Sequence, residues 1–142
     1  MKELQIFDQI DGISRDELVE RMSSMPQTEM KLDHCFTEGL YTRTLNIPAG
    51  NLIIGKRHKH KTLNILMQGE IAIYLDDGQK AKIMKAPHVF ESEAGVSKIG
   101  YAITDSVWAN VHITEETDLE KIEEEFIIPE QEYQLEETPC LG

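Results

Sequence analysis

Between residues 38 and 114 the chain runs in short apolar–polar alternations separated by turn residues. "LYTRTLNI" stops at "PAG", "HKHKTLNILM" runs into "QGE", and "IAIYL" into "DDG". "AKIM" reaches Ala86-Pro87, "HVFES" reaches "EAG", "SKIGYAI" reaches "TD", and "SVWANVHIT" closes the series. A period of two marks β-strands, and Gly, Pro, Asn and Asp mark the turns between them. The connections leave no room for crossover helices. An all-β, purely antiparallel sandwich or barrel over residues 37–114 is therefore expected.

Helical signals flank this region. In the segment 1–36, Ser14 and Glu17 form a capping box, with Ile13 and Leu18 at the staple positions. Leu18 and Met22 then recur at helical spacing, and "SSMPQTEM" ends the helix. In the segment 115–142, Thr117 and Glu120 offer a second capping box. Leu119, Ile122 and Phe126 share one helical face, opposite Glu123, Glu124 and Glu125. This pattern predicts a surface helix over one edge of the β region, ended by Pro129. The acidic tail "EQEYQLEETPCLG" is a candidate to embrace a partner subunit, and a homodimer is expected.

Composition narrows the classes. The 142 residues fit one domain with one core, and 40% hydrophobic content is ordinary for a folded chain. A formal net charge of −12 opposes a sequence-independent nucleic-acid binder. No apolar run reaches the ~20 residues of a membrane span, and "MKELQIFDQIDG" lacks the apolar stretch of a secretory signal. Cys35 and Cys140 show no metal-type spacing. A cytoplasmic setting, with neither nucleic acid nor membrane as partner, is the expectation.

The chemistry concentrates in "GKRHKHKTLNILMQGE", residues 55–70. It reads as a metal site, an anion patch or a solvated loop. On a strand, His58 and His60 would share one face and Arg57, Lys59 and Lys61 the other, which weakens the anion-patch reading. Two neutral imidazoles on one face can converge on one ion. A third ligand is available in "SVWANVH", where Ser106, Trp108, Asn110 and His112 share a face that resembles a partly polar cavity wall. His58, His60 and His112 thus form a candidate three-histidine site for zinc, iron, nickel, manganese or copper. Glu91 is a candidate fourth ligand or general base. Tyr41, Arg43, Asn64, Trp108 and Asn110 are candidate pocket residues, Arg43 as a bidentate partner of a carboxylate or phosphate. There is no phosphate-binding glycine loop and no nucleophile elbow.

The double-histidine run followed by "LMQGEIAIYLDDG" resembles the first motif of the cupin superfamily, with "IPAG" before it and "KAPHVFESEAG" at the start of the second. The likeness extends to phage-encoded single-domain cupin-like proteins through "HKH", "AP-x-x-F" and the closing "VW-x-x-x-H". It implies a cupin-type antiparallel β-barrel, a jelly roll, with short N- and C-terminal helices. It also implies a divalent transition metal (Zn, Fe, Ni or Mn) on His58 and His60. Thr62 or Asn64 stands where the family's glutamate ligand falls, and the second-motif histidine has no match after Pro87. If the chain is phage-encoded, the cytoplasm would be the host's.

Two functions follow as expectations. One is a metal-binding, metal-dependent enzyme acting on a small molecule. The other is a non-catalytic cupin module that binds a small ligand or serves a structural role.

Overall fold

The structure, a computed structural model, describes residues 15–75 and 81–129. The Ser14 cap, the "DDG" turn, Cys140 and the acidic tail lie outside the described residues. Among the described residues nine strands form: β1 (Leu32–Thr37), β2 (Leu40–Ile47), β3 (Leu52–Ile54), β4 (Thr62–Gln68), β5 (Glu70–Leu75), β6 (Lys82–Lys85), β7 (His88–Ser92), β8 (Lys98–Ala102) and β9 (Ser106–Ile113). Helices α1 (Arg15–Ser23) and α2 (Leu119–Phe126) flank them. Among the described residues no helix is long and apolar enough to cross a membrane.

The strands make two antiparallel sheets, ordered β1-β2-β9-β4-β7 and β3-β8-β5-β6. The expected antiparallel all-β fold is present, but the sheets do not close into a barrel. No strand ladder joins an edge of one described sheet to an edge of the other. Two strands escaped the sequence pattern. β1 lies before the boundary expected at residue 37, and β3 is too short for its period to register.

Alternation places Ile47, Leu66, Ile71, Ile73, Ala102 and Trp108 between the sheets as one core cluster. The outer face of the four-stranded sheet has its own cover: Leu18 of α1 packs on Ala72 and Ile99, with Tyr101 and Ile103 beside them. Arg15 ties that helix to the sheet by donating to the Gly55 carbonyl at 3.1 Å. The β4–β5 turn depends on Gly69, whose φ is +92°. A Cβ there would lie 2.4 Å from Ser106 Oγ and 2.5 Å from the Asp105 carbonyl, so only glycine fits.

The expected strand at residues 58–61 is absent, because β4 begins at Thr62. The backbone of this stretch bonds to the segment after α2 instead. His58 forms an isolated antiparallel bridge with Ile127. Lys59 N donates to the Phe126 carbonyl at 2.7 Å, and Ile128 N donates to the Arg57 carbonyl at 2.9 Å.

Candidate functional site: a cation-lined cavity under α2

The inner faces of β1, β2 and β9 meet β3 and β8 around a cavity of about 400 Å³, roofed by Leu119, Ile122 and Phe126 of α2. That size suits a small organic molecule. Alternation along β2 aims Tyr41, Arg43 and Leu45 into it, and β9 contributes Trp108, Asn110 and His112. From the opposite sheet come Lys98 and Gly100 of β8. His58 enters from the loop before β4. Its ring centroid lies 5.5 Å from that of His112, and the His112 ring is 4.4 Å from Phe126.

A buried polar network holds the floor. Asn64, fully buried, accepts from Trp108 Nε1 at 3.1 Å and from Asn110 Nδ2 at 2.6 Å. Its own amide donates to Ser92 Oγ at 3.1 Å, and Lys98 Nζ donates to the same hydroxyl at 3.2 Å. Lys98 and the tryptophan–asparagine wall are thereby locked into one arrangement, as satisfied networks do. Tyr41 Oη and His34 Nδ1 are 2.7 Å apart, and their rings stack.

Burial depresses both histidines. His58 falls to about 3 through burial and then the charges of Lys98, His112 and Arg43. His112 falls to about 4 through burial and then Arg43. Both rings are neutral near pH 7. Burial raises the Tyr41 phenol, with Arg43 opposing. His58 Nδ1 is buried without a hydrogen-bond partner among the described residues. A buried orphan of that kind calls for a ligand atom.

The structure brings some of the expected site residues together and separates others. His58, His112, Tyr41, Arg43, Trp108 and Asn110 all line the cavity. His60 does not. It is exposed in the loop, edge-on to Phe126, because the strand that would have paired its face with that of His58 is not formed. Asn64 lies behind the wall rather than on it. Glu91 points outward from β7 and meets Lys61 at 3.3 Å, so it cannot serve as a base in the cavity. Trp108 is both core and wall.

Lys98 and the roof residue Phe126 are site residues that the sequence pattern does not mark as such, Phe126 showing only as part of the apolar helix face. Ile99, Tyr101 and Ile103 pack under α1, and the opposite face of β8 carries the cavity.

A divalent metal does not fit this donor set. Of the three histidines that line it, His58 and His112 face each other while His34 pairs with Tyr41, and no group of three His, Cys, Asp or Glu among the described residues could hold an ion. Arg43 and Lys98 add positive charge to the same space.

No family model matches the sequence, and no curated protein sequence matches it. Solved structures match in shape, and those that match include cupins. The chain is similar to KdgF from a Halomonas species, with TM-score 0.53 and 12% identity over 68% of this chain and 90% of that one. It is similar to an RmlC-like cupin with a double-stranded β-helix fold from Methanocaldococcus jannaschii, with TM-score 0.50 and 15% identity over 63% and 84%. A cupin superfamily protein from Desulfitobacterium hafniense gives TM-score 0.51 and 13% identity over 65% and 84%. At these identities the likeness establishes the fold: this is a cupin-type jelly roll. It does not assign a function.

Proposed function

We propose that this protein is a small-molecule-binding cupin module whose ligand sits between the sheets under α2. One observation carries the reading. The cavity joins an apolar wall of Leu45, Ile53, Ile73 and Trp108 to a few convergent polar groups, one of them the orphaned His58 Nδ1. The resident metal and the metal-dependent enzyme implied by the likeness to cupin motifs have weaker support here, since the donor set is incomplete. The run shared with phage-encoded cupin-like proteins favours no particular activity.

Trp108 is the only tryptophan and forms part of the wall, so its fluorescence reads occupancy directly. A screen of small organic molecules should yield compounds that shift Trp108 emission saturably and raise Tm by several degrees, as binding to the native state requires. A screen in which no compound moves either signal contradicts the reading.

We further propose a homodimer formed through the outer face of the five-stranded sheet. The outward positions of β2, β9 and β4 carry no charged residue, and Leu40, Leu63, Met67, Val89 and Ile113 are exposed around them. The four-stranded sheet has α1 on its outer face, whereas no described helix packs on this one. In a chain of net charge −12, a sheet face whose three central strands carry no outward charge is where a second copy meets the least repulsion.

A further inference from the structure

We propose that the cavity is built for an organic carboxylate, a class of ligand that rests on, and narrows, the small-molecule reading. Two cations of different origin face the same enclosed space, Arg43 from β2 and Lys98 from β8. Among the described residues the lining holds a single acid, Glu123, and it sits at the rim in an ion pair with Lys56. No ion pair involves Arg43 among the described residues. Fixed positive charge of this kind, inside a chain of net charge −12, selects an anionic guest.

The shape of the polar end favours a carboxylate over a phosphate. A guanidinium presents a planar fork that matches the oxygens of a carboxylate or a phosphate, and the ammonium adds a point charge, so the backbone has to separate the two. Many phosphate sites add free backbone N–H groups at glycine-rich loops or helix N-termini. Here acidic side chains already occupy the start of α2: Asp118 accepts from Glu120 N at 2.9 Å, and just before the helix Glu116 accepts from Thr117 N and Asp118 N at 3.0 Å each. The neutral His58 and His112 rings then offer one donor or acceptor apiece to a second polar group on the guest. Its apolar body lies against Trp108, Ile73 and Phe126.

The test pairs each acid with its uncharged amide: hexanoate with hexanamide, and benzoate with benzamide, titrated against Trp108 emission. The carboxylates should bind at least about tenfold more tightly than the amides, the difference a charge-assisted pair gives. Arg43→Gln should remove that advantage and Arg43→Lys should restore part of it, with both variants keeping the wild-type far-UV spectrum. Lys98→Met should weaken the acids and spare the amides. Equal binding of acid and amide overturns the carboxylate assignment and leaves the small-molecule reading standing. If no acid or amide perturbs Trp108, the carboxylate assignment is overturned, and the wider small-molecule screen then stands or falls by itself. Inorganic phosphate that displaces hexanoate at similar concentration also overturns the preference for a carboxylate.

Discussion

His58 and His112 stand with ring centroids 5.5 Å apart across the cavity, one carried by a loop and the other by a central strand. Burial holds both well below their ordinary titration range, to about 3 and about 4. Unfolded, each would titrate near pH 6.5. The unfolded state therefore binds more protons over that interval, and stability must fall as pH drops from about 6.5 towards 4. Above pH 6.5 the pair contributes no pH dependence. Urea unfolding across this range should show the loss, and a His58→Gln/His112→Gln variant should show a flatter profile. Parallel profiles would mean that the rings are not buried as described.

Elemental analysis of protein purified without chelator should find metal well below one equivalent, with no difference on His60→Ala. His60 lies outside the cavity, and two imidazoles beside Arg43 and Lys98 make a poor cation site. A full equivalent of metal, lost in His58→Ala/His112→Ala, would restore the metal reading.

Replacing Gly69 should be costly for a purely local reason. Its positive φ and the 2.4 Å approach a Cβ would make to Ser106 Oγ predict a loss of at least about 2 kcal/mol for Gly69→Ala. Gly50 has a similar φ with open space around it. Gly50→Ala should therefore cost distinctly less in the same denaturant titration.

Light scattering tests the outer sheet face. Ile113, 81% exposed on β9, can take a charge without disturbing the inner layer. Ile113→Glu should shift the protein towards monomer while leaving Tm of the separated chain nearly unchanged. A wild-type protein that is monomeric across the accessible concentration range would remove the proposal.

Much of the sheet was legible because strands with one face on the core repeat every two residues. β2 and β7 begin and end where the alternation does, and β9 stops one residue short of its run. α2 was legible through its apolar stripe, although its cap is Asp118 rather than Thr117. The misreadings share a cause: alternation says which residues lie on one face, not which partner the backbone will find. The "HKHK" run alternates as a strand should, yet its hydrogen bonds go to residues 126–128, a non-local pairing invisible to local pattern. Lys98 stayed hidden because β8 is buried on both faces, so the period alone could not say which face met the cavity.

The backbone bonds between residues 57–59 and residues 126–128 have a consequence for access. They fasten the loop that presents His58 to the end of the helix that roofs the cavity, and Phe126 of that helix rests on His112. Roof and His58 are thus one mechanical piece, while His112 stays with β9. Any lifting of α2 would therefore draw His58 away from His112 and wet both rings.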